Sequence, residues 1–146
     1  MGKVIAGMVM SLDGFVSDKE GGVHHLYPDM EAMRESIQEA IRTTGAVIMG
    51  RHTFEMEGNP DAYADSYEFQ VPIFVVTHHP PANHPAENDK LTFTFVEGEL
   101  RTIIRQAIQA AGDKNVVIVG GATLIRQCIE ARLIDELQID IRHILL

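Results

Sequence analysis

Two short stretches carry most of the residues that could do chemistry: Gly50-Arg51-His52-Thr53-Phe54-Glu55 and Gly120-Gly121-Ala122-Thr123-Leu124. Each follows a run of apolar residues, Ala46 to Met49 in one case and Val116 to Val119 in the other. Such a unit reads as strand, glycine turn and helix start. Glycine admits close approach of another group to the backbone. A helix N-terminus offers unpaired N–H groups and the positive end of a dipole, which suits a phosphate. A tight turn without a ligand has the same signature, so residue types alone leave both readings open. Ser11-Leu12-Asp13-Gly14-Phe15 closes a third apolar run. Asp13 there could orient or protonate a substrate, or serve only the Asp-Gly turn. Arg51 could clamp a phosphate through its planar guanidinium, or form a surface ion pair of little weight. Tyr63, Tyr67 and Phe69 could wall a planar ligand or pack beneath a long loop. His24-His25, His78-His79 and His84 include two adjacent pairs, whose rings point apart on an extended chain, and no HExxH or cysteine pattern accompanies them. No metal site is expected.

The elements that must hold these residues follow from periodicity. Residues 3–10 read as a first strand. A helix opens at Pro28-Asp29, with Asp29 as cap, Glu31 in the first turn, a buried stripe of Met30, Met33, Ile37, Ala40 and Ile41, and Gly45 as its stop. Residues 46–49, 71–77 and 91–95 read as strands, 59–70 as loop with a short helix, and 78–89 as loop. Residues 99–111 form a helix with Leu100, Ile103, Ile104, Ala107 and Ile108 as core face and Gly112 as stop. Residues 116–119 read as a strand buried on both faces. Leu124, Ile125, Cys128 and Ile129 mark the apolar face of the next helix. In residues 136–146, Leu137, Ile139 and Ile141 point one way and Gln138, Asp140 and Arg142 the other. Alternating strands and helices predict one α/β domain over residues 1–146, three layers deep, with a mostly parallel central sheet. Ligands bind such sheets beyond the carboxyl ends of the strands. Ser11 to Asp13, Gly50 to Thr53, Thr77 and Gly120 to Thr123 all fall at such ends, which predicts one cleft.

Composition sets bounds. The net charge of −9 argues against nucleic acid as a general partner. No apolar run approaches the ~20 residues that cross a bilayer, and the N-terminus reads as a strand rather than a signal peptide. The one cysteine, Cys128, reads as a small core residue and fits a reducing cytoplasm.

Met49-Gly50-Arg51-His52-Thr53-Phe54-Glu55 resembles the dihydrofolate reductase superfamily motif of a strand followed by Met-Gly-Arg-x-Thr-aromatic-Glu, and Gly120-Gly121-Ala122-Thr123-Leu124 matches downstream. Ser11-Leu12-Asp13-Gly14-Phe15 and Ile134-Asp135-Glu136-Leu137 resemble the branch related to the C-terminal reductase domain of riboflavin-biosynthesis deaminase-reductases. The resemblance implies a dihydrofolate reductase-like fold and NADPH-dependent hydride transfer to a small heterocycle such as a pterin or pyrimidine. By position, it implies that Gly50, Arg51, His52 and Thr53 hold cofactor phosphates and that Thr77 lies near the adenosine ribose and its 2′-phosphate. His78 or His79, next to Thr77 in sequence, could add positive charge near such a phosphate. Gly120, Gly121, Ala122 and Thr123 would contact the diphosphate and nicotinamide ribose. Asp13, and Asp29 or Glu31 on the first helix, are the implied catalytic carboxylates. Where riboflavin-pathway reductases usually carry Glu before the glycine pair, this chain has Val119. Family chains also usually continue with a glycine turn and a closing strand, whereas this one stops at Leu146. The expectation is a homodimer, paired through the open edge. The alternatives are a nucleotide-binding module without turnover and a fragment completed by a partner.

Overall fold

The computed structural model describes residues 2–27, 31 and 33–146. Six strands form the central sheet: β1 (Val4–Ser11), β2 (Thr44–Gly50), β3 (Ile73–Val76), β4 (Phe93–Val96), β5 (Asn115–Gly120) and β6 (Glu136–Arg142). Their spatial order is β4-β3-β2-β5-β1-β6, and every pairing is parallel. Among the described residues, five α-helices accompany them: α1 (Arg34–Thr43), α2 (Arg51–Glu55), α3 (Tyr63–Ser66), α4 (Leu100–Ala111) and α5 (Ala122–Glu130). Parallel pairing requires a crossover between neighbours, and helices supply most of them. All carboxyl ends therefore lie on one rim.

The two faces of the sheet are covered unequally. On one, Ala6, Ala46, Ile48, Val116 and Ile118 pack against Ile104 and Ala107 of α4 and Leu124, Ile125 and Cys128 of α5. On the other, Val47, Met49, Ile73 and Val75 pack under an aromatic cluster of Phe54, Tyr63, Phe69 and Phe93. That second cover spans β2, β3 and β4, touches β5 only through Val119 and stops short of β1. The expectation that residues 116–119 are buried on both faces is therefore corrected: Val116 and Ile118 are buried, while Val117 and Val119 are only partly so. Between Ile48 and Met49 the register with β5 shifts by one residue, so Ile48 pairs Ile118 and Met49 pairs Gly120. Val119 is the extra residue of a bulge at the strand's carboxyl end.

Other boundaries move for physical reasons. The first helix is described only from Arg34; Pro28, Asp29 and Met30 lie outside the described residues. Met33 is buried, but Ile37 and Ala40 are half-buried and Ile41 is exposed. Gly45 does not stop α1. It lies inside β2, which begins directly at Thr44, and a Cβ there would stand 2.5 Å from the Ala111 carbonyl oxygen. The constraint is packing against the end of α4, not helix termination. Gly112, by contrast, stops α4 with φ +63°. Ile129 is 47% exposed and leaves the core face of α5 to Leu124, Ile125 and Cys128. Cys128 is buried as expected, and burial pushes its thiol pKa up. The last strand ends at Arg142.

Gly45→Ala is expected to cost about 1–3 kcal/mol through overpacking against Ala111. Gly7→Ala, whose Cβ meets nothing within 4 Å, stays within about 0.5 kcal/mol of the parent. Urea unfolding of both checks this, and equal losses would show that the contact carries no weight.

Candidate functional site

The uncovered half of the second face is a cleft of about 580 Å3. Gly7 and Val9 of β1 and Val117 and Val119 of β5 line it from the sheet, and Ile37 and Ala40 of α1 line it from one side. It reaches the carboxyl rim at His52, Thr53, Gly120, Gly121 and Ala122. There the two glycine turns meet. A Cβ on Gly50 would lie 3.5 Å from the Gly121 nitrogen, and one on Gly120 would lie 2.9 Å from the Thr53 hydroxyl. Gly120 has φ +146°, and the Gly120–Gly121 peptide is cis. Gly121 opens α5 with no side chain capping it, so the first N–H groups of that helix face the rim without side-chain partners.

The structure separates the remaining expected residues. Thr123 is exposed in the first turn of α5. Arg51 is half-exposed, pairs with Glu55 at 3.5 Å and lies outside the cleft lining. Thr77 lines a second recess of about 640 Å3 between the ends of β3 and β4 and the helices α4 and α5. His78 lines that recess too, with its Nδ1 2.8 Å from Glu97 Oε2.

Of the three expected carboxylates, neither described one lines the cleft. Asp13 accepts the Ser11 hydroxyl at 2.6 Å and the Leu146 N–H at 3.1 Å. The Ser11 bond, followed by the Leu146 bond, lowers its pKa. Glu31 is exposed and pairs with Arg34 at 3.3 Å. Asp29 lies outside the described residues. Among the described residues, the carboxylates that line the cleft are Glu68 and Asp140, with Gln138, Tyr27 and Tyr67. Burial, then Glu68, raises the pKa of Tyr27, Arg142 opposes this, and Asp140 adds to it. Burial, then Glu68, also raises that of Tyr67. Both phenols are neutral hydrogen-bonding groups at physiological pH. Arg142 donates to the Leu26 carbonyl oxygen at 3.2 Å and to the Met33 sulfur. Among the described residues, no Lys or Arg lines the cleft.

The alternation in β6 was the signal for Gln138 and Asp140. In the parallel ladder Val9 pairs Asp140, so both point to the cleft, while Ile139 pairs Met8 on the helix-covered face. The polar row faces the site. Both rows are open to solvent, and the apolar one, Leu137, Ile139 and Ile141, is 47%, 40% and 55% exposed. The aromatic stretch does both jobs considered for it. Tyr63 and Phe69 are buried packing, whereas Tyr67 and Phe69 also reach the cleft wall.

The histidine geometry also differs from expectation. His24 and His25 sit in a 3-10 turn (His24–Leu26), and their ring centroids are 3.8 Å apart. The two imidazoles thus lie side by side in this turn and do not point apart as they would on an extended chain.

The model of one family, the RibD C-terminal domain, matches residues 2–146. The chain belongs to that family. Similar solved structures agree in fold. A protein described as a riboflavin biosynthesis protein, from Shewanella sp. PV-4, is 26% identical with a TM-score of 0.77, covering 98% of this chain and 78% of that one. A diaminohydroxyphosphoribosylaminopyrimidine deaminase/5-amino-6-(5-phosphoribosylamino)uracil reductase from Thermotoga maritima is 12% identical with a TM-score of 0.63, covering 89% of this chain and 42% of that one. A pyrimidine reductase-like protein from Corynebacterium diphtheriae is 15% identical with a TM-score of 0.59, covering 99% and 75%. No curated protein matches the sequence. The fold is thus the dihydrofolate reductase-like fold of the RibD C-terminal domain family, with all six described strands parallel. Among the described residues no helix is long and apolar enough to cross a membrane.

Asp13 supplies a pH test of its turn. Its pKa is lowered in the folded state, so the stability it contributes is present above its unfolded value of about 3.9 and disappears as pH falls through the lower folded value. Chemical denaturation from pH 6 down to pH 2 is expected to show a smaller loss for Asp13→Asn than for the parent. Identical pH profiles would show that the Ser11 and Leu146 bonds do not favour the ionised carboxylate.

Proposed function

We propose that this member of the RibD C-terminal domain family is an NADPH-dependent reductase acting on a pterin- or pyrimidine-like heterocycle. The observation that carries the reading is the meeting of the Gly50 and Gly120–Gly121 turns at the cleft mouth, beside the uncapped start of α5. A dinucleotide needs backbone within reach of its phosphates, and side chains at these glycines would fill that space. The family and the reductases of similar fold support the same chemistry.

NADPH, when bound, supplies a hydride for a C=N or C=O bond of the substrate ring. Gly50, His52, Thr53, Gly120, Gly121, Ala122 and Thr123 hold the dinucleotide's phosphates and ribose. Thr77 and the recess around it take the adenosine end, and Arg51 swings from Glu55 to a phosphate. Val117, Val119, Ile37 and Ala40 exclude water from the ring. Glu68 and Asp140 accept N–H bonds from the heterocycle, and Tyr27 and Tyr67 supply O–H groups beside them. Asp13 acts as a positioning residue at the end of β1. With no Lys or Arg among the described lining residues, the ring itself, and not a phosphate tail, is what the far end of the cleft recognises.

Thermal unfolding with each cofactor tests this. NADPH at ~100 times its dissociation constant adds roughly 2.7 kcal/mol to the folded state, a shift of several degrees, whereas NADH gives less. Absence of a shift with either overturns the reductase reading. With the shift established, Asp140→Asn is expected to weaken 2,4-diaminopyrimidine binding by roughly tenfold through loss of a charge-assisted bond, leaving the NADPH shift unchanged. Val119, apolar where riboflavin-pathway reductases carry Glu, favours a second reading: a nucleotide-binding module without turnover. NADPH binding without oxidation across pterins and pyrimidines would select it.

The same proposal includes a homodimer. The outer edge of β6 has no strand partner among the described residues, and Leu137, Ile139 and Ile141 beside it are exposed. Light scattering is expected to give twice the chain mass, falling to the monomer for Ile139→Lys; a monomeric parent removes the dimer from the reading.

A further inference from the structure

We propose that Asp18, His24 and His25 form a binding site for a divalent transition metal such as zinc on the rim of the cleft. One ligand atom from each of the three lies within 4.8 Å of the other two. Asp18 Oδ2 and His25 Nε2 are 3.6 Å apart, close to the roughly 3.3 Å that separates two ligands of a tetrahedral ion with bonds of about 2.0–2.1 Å. The third ligand comes from His24, whose side chain is exposed.

The carboxylate is already aimed. Asp18 Oδ1 accepts the N–H groups of Gly22 at 2.7 Å and Glu20 at 3.0 Å. The backbone adds Asp18 N–H to the Gly22 oxygen at 2.9 Å and Gly21 N–H to the Asp18 oxygen at 3.0 Å. These bonds occupy one carboxylate oxygen and leave Oδ2 turned to the histidines. Orientation of a ligating carboxylate by a second layer of hydrogen bonds is a feature of metal sites. The two imidazoles lie together beside it, with ring centroids 3.8 Å apart.

Two imidazoles and one carboxylate suit zinc, cobalt, nickel or copper, and do not suit calcium or magnesium, which take oxygen ligands. Three protein ligands leave a position open to water or a small anion. Ser17, Gly21 and Val23, which interleave with the ligands in sequence, line the cleft. A bound ion therefore ties residue 18 to residues 24 and 25 across the loop that forms this part of the rim.

The test uses the full chain without an affinity tag, titrated calorimetrically with zinc sulfate, with cobalt absorption as a second readout. One equivalent is expected to bind with a micromolar dissociation constant, and cobalt is expected to give a visible band of low coordination number. Asp18→Asn, His24→Gln and His25→Gln should each weaken binding by roughly tenfold or more, since even the outer partners of ligands cost that much. His78→Gln with His79→Gln, on the far side of the rim, should leave it intact. Asp18→Asn keeps an oxygen for Gly22 and Glu20, so its melting temperature without metal reports whether the loop is preserved. Absence of saturable zinc uptake, or uptake that survives loss of both His24 and His25, overturns the proposal. NADPH binding is not part of the readout, so the result stands apart from the reductase reading.

Discussion

Backbone lies against backbone where the ends of β2 and β5 meet, and the architecture of the rim depends on that approach. Gly50 and Gly121 come together because β2 and β5 are neighbours in the sheet and because Val119 adds one residue to β5 just before its end. Thr53, on the first turn after Gly50, then lies against Gly120. A Cβ at either position narrows the gap, and at Gly120 the positive φ adds a second penalty. Both following helices begin from this junction, so their orientation is set by the same contact.

Unequal covering of the sheet turns this junction into a site. One face is closed by α4 and α5 across its centre. The other is closed by an aromatic cluster over β2, β3 and β4 that meets β5 only at Val119. The free energy of burial is thus concentrated on one side of the molecule, and β1 and β5 keep a half-exposed apolar surface beneath an open space. Glu68 and Asp140 at its edge retain access to water, which spares them the cost of burying an unpaired charge. An apolar surface with a few polar groups at one end is the general character of a small-molecule pocket.

The edge strand shows how a pattern is inverted by its neighbours. In an isolated reading, an alternating strand turns its apolar row inward. Here β6 lies beyond the reach of α5, so the apolar row has no cover on the helix face, and the polar row joins the cleft. Asp13 shows a related effect at the end of β1. Its carboxylate is engaged by Ser11 and by the Leu146 N–H, so tertiary hydrogen bonds give it the turn role that its Asp-Gly context allowed from the start.

Local chemistry in the sequence determined much of this protein. Apolar runs and glycine punctuation placed all six strands and α4 and α5 to within a few residues, because strand and helix periods are properties of short segments. The Gly50 and Gly120 units and their convergence at one rim were legible for the same reason, as was the buried state of Cys128. What required the tertiary structure was every assignment that depends on which neighbour lies across a gap. Gly45 is small because of the Ala111 carbonyl, 66 residues away in sequence by number. Val117 and Val119 are only partly buried because they face the cleft and not the closed helix layer. Gln138 and Asp140 belong to the cleft because β6 pairs with β1. His24 and His25 lie ring against ring in their turn, a contact that adjacency in sequence does not announce. Periodicity fixes the direction of a side chain relative to its own backbone; what it meets is decided only when the sheet order and the helix layers are in place.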